Sequence, residues 1–177
     1  MKQTLSNLGL THVWKNQGTL NIQRLKHTVI SILQQNYEKY WNLKKTITSR
    51  LTFYNFITTE YRLEPYLLVI KNINHRKALS RLRTSTHNLE IERGRYINLP
   101  RNERKCTTCD KVEDELHFLN DCKKLESLRN QFLIKIKNKD NVSDNKSTKI
   151  GDYFVRDDMA TLVARFVYES VNLMEKT

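Results

Sequence analysis

Residues 106–122 read CTTCDKVEDELHFLNDC and contain every cysteine of the chain. Cys106, Cys109 and Cys122 share this stretch with one histidine, His117, in the spacing C-x2-C-x7-H-x4-C. Three thiolates and one imidazole form a standard closed ligand set for a structural Zn²⁺ ion. The stretch therefore predicts a structural zinc site, a Cys3His (CCHC) knuckle, whose four protein ligands leave no coordination position open to water.

The spacing of the last two ligands constrains the local backbone. His117 and Cys122 are five residues apart, and five residues of an unbroken α-helix rotate a side chain by about 140° from the starting face. A helix that carries His117 must therefore end or distort before Cys122 if both side chains are to bind one ion. Asn120 and Asp121 can supply this break, which would place Cys122 in the first turn of the next helix.

Two alternatives for these residues remain open at this point. The cysteines could be buried free thiols beside an ordinary core histidine, and His87 could replace His117 as the fourth ligand. A zinc deaminase, in contrast, is excluded, because its H-x-E motif precedes a P-C-x-x-C motif. In this chain Glu115 precedes His117, and both follow the first two cysteines.

The composition predicts a mainly α fold. The chain has 177 residues with only four glycines and two prolines, and such sparse turn-forming residues favour helices over many short strands. Apolar residues recurring at three- and four-residue steps, together with cap and proline positions, predict helices at 20–47, 48–58, 64–71, 75–84, 122–138 and 157–175. Asn21 and Asn74 are placed to cap the first and the fourth of these helices.

Residues 88–99 (NLEIERGRYINL) are predicted to form a small β-hairpin before the zinc knuckle. Leu89 and Ile91 alternate with two glutamates, which is the two-residue period of a strand. Gly94 permits the turn, and Tyr96 would open the partner strand. The predicted fold is thus a helical domain with a small β-hairpin and a Cys3His zinc knuckle.

We expect three segments along the chain. These are an N-terminal helical segment (1–72), a basic helix with the hairpin and the zinc-binding module (73–138), and a polar loop with the C-terminal helix (139–177). The polar stretch 139–149 (KDNVSDNKSTK) is the clearest linker and is expected to be mobile.

Cellular location is predicted from the apolar runs and the cysteine count. No apolar run approaches the roughly 18 residues of a membrane span, and the N-terminal residues lack the pattern of a secretory signal. Three cysteines, an odd number, argue against a disulfide framework. We therefore expect a reducing compartment, the nucleus or the cytoplasm, and no membrane partner.

The net charge of +12 is concentrated before the cysteine cluster. Residues 1–70 carry +6 and residues 71–105 carry +7, whereas residues 106–140 are neutral and residues 141–177 carry −1. A field of this kind attracts polyanions, of which nucleic acid is the commonest. The charge therefore favours RNA or DNA as the partner, and the alternative is a basic surface that is simply well solvated.

A second motif lies just before the cysteines. Residues 82–95 follow the pattern L-R-x-S-x-H-x-L-x-I-E-x-G-R, and residues 113–118 read EDELHF. Together with the cysteine spacing, these stretches resemble the zinc-binding region that lies C-terminal to the reverse transcriptase in polyproteins of non-LTR (LINE-like) retrotransposons. The resemblance covers residues 80–130, and its flanks agree only in general character.

The resemblance implies a function for the basic residues. In this family the region assists the binding of element RNA or target DNA, and a reverse transcriptase polypeptide is a further candidate partner. The resemblance makes these residues the candidate phosphate contacts: Arg76, Lys77, Arg81, Arg83, Arg93, Arg95, Arg101, Arg104 and Lys105. The paired aspartates of a polymerase are missing, because Asp157 and Asp158 occupy a predicted helix start, so the chain resembles a tail region without the polymerase.

We therefore predict a non-catalytic module that binds zinc and nucleic acid. The alternative is a zinc-stabilised adaptor for protein–protein interaction, in which the final helix docks on a partner. A nuclease or hydrolase is less well supported, because His87 with Glu90 and Glu92 is its one candidate constellation. A solvated hairpin face would explain these glutamates equally well.

Overall fold

The computed structural model describes residues 2–16, 21–140 and 149–175. Its contacts divide the chain into two units, Met1–Ile47 and Thr48–Thr177. The predicted segment boundaries after residues 72 and 138 both fall inside the second unit. Most of the predicted linker 139–149 lies outside the described residues.

The first unit contains α1 (Lys2–Asn7), α2 (Thr11–Lys15) and α3 (Ile22–Ile47). The long helix and its cap are confirmed, since the Asn21 side chain accepts a hydrogen bond of 3.0 Å from the Arg24 N–H. The two short helices before it were not predicted. Among the described helices, α3 included, none combines the length and apolar character that crossing a membrane requires.

The second unit is also mainly helical, as the composition predicted. Its α-helices are α4 (Thr52–Ile57), α5 (Tyr66–Val69), α6 (Ile73–Arg83), α7 (Glu90–Tyr96), α8 (Glu126–Asp140) and α9 (Ala160–Glu175). Helix α6 packs along α9, and α8 packs against α9 as well. The metal-site residues lie in the segment between α7 and α8, so the packing of these helices positions the site.

The predicted β-hairpin is wrong, because residues Glu90–Tyr96 form α7. The helix is capped from a distant part of the chain. The Glu113 carboxylate accepts a hydrogen bond of 2.8 Å from the Glu90 N–H, and the Glu113 carbonyl accepts one of 3.1 Å from the Ile91 N–H. These bonds satisfy N–H groups that a helix start leaves unpaired, so a tertiary contact outweighs the local strand-like alternation.

Gly94, which was expected to make the hairpin turn, lies inside α7 instead. A Cβ atom at this position would lie 2.5 Å from Cγ of Arg104. The glycine therefore serves close packing beneath the Arg104 side chain. The β structure that the described residues contain is a single antiparallel bridge between Lys105 and Val112, within the knuckle itself.

The cap of α6 differs from the prediction by two residues. Asn72, not Asn74, is the N-cap, and its side chain accepts hydrogen bonds from the N–H groups of Asn74 (2.9 Å) and His75 (3.2 Å). At the other end, Ser85 adopts a left-handed backbone with φ of 49°. The Thr86 N–H then bonds back to the Arg81 carbonyl at 2.8 Å, which closes the helix in the manner of a Schellman motif.

Three fully buried phenylalanines link the metal-site segment to the helices. Phe166 of α9 packs against Phe132 of α8, with ring centroids 5.5 Å apart, and against Phe118, at 6.5 Å. Phe118 follows His117 directly, so the aromatic cluster anchors the candidate metal ligand in the core.

We expect Phe132→Ala to lower the free energy of unfolding by about 3–5 kcal/mol, because it removes a fully buried ring from this cluster. Ile134→Ala is the matched control on the same helix, since Ile134 is 59% exposed, and should change the value by less than about 0.5 kcal/mol. Urea unfolding followed by circular dichroism measures both. Equal effects of the two substitutions would contradict the assigned face of α8.

Candidate metal centre

The structure brings together the four residues that the sequence singled out. The ligand atoms of Cys106, Cys109, His117 and Cys122 all lie within 4.8 Å of one another. The Sγ atoms of Cys106 and Cys122 are 3.9 Å apart. Two sulfurs bound to one tetrahedral Zn²⁺ would be separated by about 3.8 Å, given a Zn–S bond of about 2.3 Å. The four side chains can therefore hold a metal ion with little rearrangement.

A tight turn presents the first two cysteines. The Cys106 N–H donates to the Lys111 carbonyl at 2.8 Å, and the Cys106 carbonyl accepts from the Asp110 N–H at 3.0 Å. Asp110 has a positive φ of 52°, a conformation that aspartate tolerates better than most residues. The two-residue spacer folds back so that Cys109 shares the site with Cys106.

A π-helical turn presents the other two ligands. Residues His117–Asp121 form this turn, and the Cys122 N–H donates to the His117 carbonyl at 2.8 Å. A bond between residues five apart brings them to the same side of the backbone, which an α-helix would not do. The predicted distortion before Cys122 is thereby confirmed, and a π turn is its physical form.

The imidazole of His117 is buried, and its ring nitrogens are free to bind a metal ion. Neither of its ring nitrogens has a hydrogen-bond partner among the described residues. Burial lowers the pKa of His117, which favours the neutral ring that a metal binds. Leaving two ring nitrogens unpaired in a core is costly, and coordination of a metal by one of them removes part of that cost.

The thiol of Cys122 lies in an environment that only a cation makes suitable for a thiolate. Burial, the largest cause, and the neighbouring sulfurs of Cys106 and Cys109 together raise its pKa to about 12. The Lys124 N–H opposes this rise, and the Lys123 N–H donates to the Cys109 sulfur at 3.3 Å. Backbone donors of the 3-10 turn Lys123–Leu125, which precedes α8, thus face the sulfurs, as is common around metal-bound thiolates.

Arg129 fixes the backbone on which the last ligand sits. This side chain is buried, and it donates to the carbonyls of Leu119 (2.9 Å) and Cys122 (2.8 Å). Burial lowers its pKa from the ordinary arginine value. Arg129 is not among the residues predicted from the sequence, although it interrupts the apolar face that Leu125, Phe132 and Ile136 define.

The acidic run between the ligands ties the knuckle to its surroundings. Glu113 caps α7, as described above. Asp114 accepts a hydrogen bond of 3.0 Å from the His117 N–H and pairs with Arg101 at 3.0 Å. Glu115 accepts hydrogen bonds from the hydroxyl of Ser85 and, at 3.0 Å, from Nε2 of His87. These three consecutive carboxylates therefore connect the ligand-bearing turn to three other segments.

His87 is not a metal ligand in this arrangement. Its Nδ1 accepts a hydrogen bond of 3.3 Å from the Leu89 N–H, so Nε2 carries the proton that is donated to Glu115. His117 takes the fourth position of the metal group. The alternative in which His87 replaces His117 is therefore wrong.

No known protein family, curated protein or solved structure matches this chain. The interpretation of its function therefore depends on the chemistry of its site and of its surface.

Two of the nine basic candidates are structural. Arg83 is buried, pairs with Glu64 at 2.8 Å and donates to the Thr58 hydroxyl at 3.1 Å. Arg104 donates to the carbonyls of Leu99 (2.8 Å) and Ile91 (2.9 Å). Their guanidinium groups are engaged inside the protein, so the interpretation of Arg83 and Arg104 as phosphate contacts is corrected.

Five further candidates have partners nearer the surface. Arg76 donates to the Leu67 and Ile70 carbonyls. The other four form ion pairs with carboxylates: Arg93 with Glu90 (2.9 Å), Arg95 with Glu92 (2.9 Å), Arg101 with Asp114 and Lys105 with Asp110 (2.9 Å). Exposed pairs of this kind are weak, so the more exposed members can still exchange a carboxylate for a phosphate.

Lys77 and Arg81 are the remaining two candidates. They lie four residues apart on α6, and both are exposed. Neither forms an ion pair within the ranges 2–16, 21–140 and 149–175. Both line a groove to which Arg93 also contributes. The structure thus places three of the exposed candidates, Lys77, Arg81 and Arg93, together beside this groove.

The glutamates of the nuclease hypothesis have separate partners. Glu92 is buried and pairs with Arg50 (3.3 Å) and Arg95, whereas Glu90 pairs with Arg93. The His87 ring, the third member of that hypothesis, is bonded to Glu115 as described above. Each of the three side chains therefore has a stabilising contact that accounts for its position.

Metal binding should release protons and weaken as the pH falls. Each thiol must lose its proton to become a ligand, and Cys122 in particular is protonated at neutral pH without a cation. His117 contributes no proton, because its lowered pKa leaves it neutral. Titration calorimetry at pH 7 in buffers of different ionisation enthalpy should report about three protons per ion. Release of no protons would contradict thiolate ligation.

Proposed function

We propose that this chain is a non-catalytic module that binds structural Zn²⁺ and uses the folded surface around it to bind nucleic acid. The zinc part is supported by the convergence of three sulfurs and a buried imidazole within 4.8 Å. Soft thiolates with one imidazole in a tetrahedral arrangement favour Zn²⁺ over the hard cations Mg²⁺ and Ca²⁺. With four protein ligands, the ion stabilises the fold and has no open position for a substrate.

The nucleic-acid part is supported by the position of the charge. The exposed side chains of Lys77 and Arg81 project from one turn of α6 toward a groove shared with Arg93. A row of cations beside a groove attracts a phosphate backbone and releases its counterions on binding. The resemblance to the region that follows non-LTR retrotransposon reverse transcriptases suggests element RNA or its DNA target as the ligand.

A protein–protein adaptor is the second candidate, and α3 is the feature that favours it. Several large apolar side chains on this helix are exposed, among them Tyr37 (61%), Tyr40 (59%), Leu43 (56%) and Ile47 (63%). Exposed apolar side chains in such numbers are typical of interaction surfaces. A reverse transcriptase polypeptide is one candidate partner under this hypothesis.

We expect native mass spectrometry of the purified chain to find one Zn²⁺ ion per molecule. Cys122→Ser should abolish zinc retention, whereas the exposed Thr107→Ala within the same knuckle should retain it. Because structural zinc contributes folding free energy directly, chelation should cost at least about 4 kcal/mol and lower the melting temperature by roughly 8–16 °C. An apo protein with an unchanged melting curve would contradict a structural role.

We expect Arg81→Glu to weaken RNA and DNA binding about tenfold or more at low salt and to reduce the slope of log K against log[salt] by about 1. Lys137→Glu is the charge-matched control, because Lys137 is exposed on α8 and is not among the residues that line the groove. Fluorescence anisotropy over a salt series measures both variants. Equal losses for the two would indicate a diffuse charge effect, and no binding by the wild type would refute the nucleic-acid function.

A further inference from the structure

The groove beside Lys77 and Arg81 contains an apolar cavity as well as positive charge. It has a volume of about 700 Å³ and lies between α6 and the C-terminal part of α9, with the segment after α6 closing one side. Buried apolar residues, Leu82, Leu89 and Phe118, contribute to its lining. A cavity of this size and character is typical of small-molecule and nucleotide pockets rather than of a flat phosphate-binding face.

Hydrogen-bonding groups surround this apolar surface. Asn88 precedes α7, Asn172 lies on α9, and both side chains line the groove. A carboxamide offers donors and an acceptor in one plane, which matches the edge of a nucleobase and is of little use to a phosphate. The described lining contains three cations, Lys77, Arg81 and Arg93, and one carboxylate, Glu175.

An aromatic ring, that of Tyr168, also lines the groove. Tyr168 of α9 is half-buried, lines the groove and packs against His75 of α6 with ring centroids 5.1 Å apart. The packing against His75 holds the tyrosine ring in place. Aromatic rings held in this way are the usual platforms on which unpaired bases stack.

These groups together favour one kind of ligand. A duplex presents its phosphates outside and keeps the faces of its bases stacked, so it could not use the apolar lining or Tyr168. An apolar peptide would offer no anionic group to Lys77 and Arg81, and covering these charges without a partner is costly. An unpaired nucleotide uses all three features, because its base is apolar on its faces and polar on its edge, and its phosphates are anionic.

We propose that this groove is a pocket for an unpaired nucleotide of a single-stranded nucleic acid. The base occupies the apolar part beside Tyr168, with Asn88 and Asn172 toward its edge, and the flanking phosphates lie along Lys77 and Arg81. This inference rests on the proposed nucleic-acid function and extends it, because it assigns the strandedness of the ligand and the residues that select it.

The test uses the full-length, zinc-loaded chain and a labelled mixed-sequence oligonucleotide of about a dozen nucleotides. Anisotropy is measured for the single strand and for the same sequence as a duplex, each as RNA and as DNA, over a salt series. The single strand should bind at least tenfold more tightly than the duplex. Tyr168→Leu, which keeps apolar volume, should weaken single-strand binding roughly 5- to 100-fold with an unchanged salt slope, because it removes stacking and no charge.

A second variant tests the pocket even if Tyr168→Leu fails to fold. Asn88 is exposed, so Asn88→Ala should leave the melting curve unchanged and still weaken single-strand binding several-fold, with little effect on the duplex. Equal affinity for single strand and duplex, with Asn88→Ala and a folded Tyr168→Leu both unaffected, would overturn the pocket while leaving a phosphate-binding function in place. Failure to bind either form would overturn the proposed function and the pocket together.

Discussion

The convergence of His117 and Cys122 on one side of the backbone is the constraint on which the second unit depends. It requires a π turn, and the turn requires the Cys122 N–H to reach back to the His117 carbonyl at 2.8 Å. A π turn is rarely favourable by itself. Here Arg129 bonds two carbonyls at its C-terminal end, and the Phe118 ring packs into the core. A bound metal ion would stabilise this turn further, because three sulfurs this close together become a suitable environment for thiolates only around a cation.

A short acidic stretch, residues 113–115, connects the turn that carries His117 and Cys122 to the groove beside Lys77 and Arg81. Glu115 lies two residues before the ligand His117, and its carboxylate receives His87 and Ser85 from the segment that follows α6. His87 in turn lines the groove. Ser85 holds a left-handed backbone, which costs a non-glycine residue about 1 kcal/mol, and its bond to Glu115 offsets that cost. The wall of the groove and the candidate metal site are therefore parts of one hydrogen-bonded structure.

The Cys3His cluster was predictable from sequence, and the structure around it was only partly so. Thiol and imidazole side chains have few reasons to cluster apart from a metal, and the five-residue spacing of His117 and Cys122 requires a helix there to end or distort. The segment 88–99 is different, because its alternating pattern fits a strand as well as it fits a short helix. What decides between them is the cap that Glu113 provides to α7, and a contact across more than 20 residues leaves no local signal in the sequence.

The net charge of a stretch of sequence is larger than the positive charge that its folded surface presents to a ligand. Residues 71–105 carry a net +7, yet Arg83 donates to the half-buried carboxylate of Glu64 and Arg104 donates to carbonyls inside the fold. Arginine suits this role because five donors in one plane can satisfy several acceptors in irregular segments at once. The positive field that reaches solvent from α6 is therefore the part left after these internal bonds. This field comes from Lys77 and Arg81. Both residues line the groove that also contains apolar side chains, so the positive charge and the cavity lie at the same place.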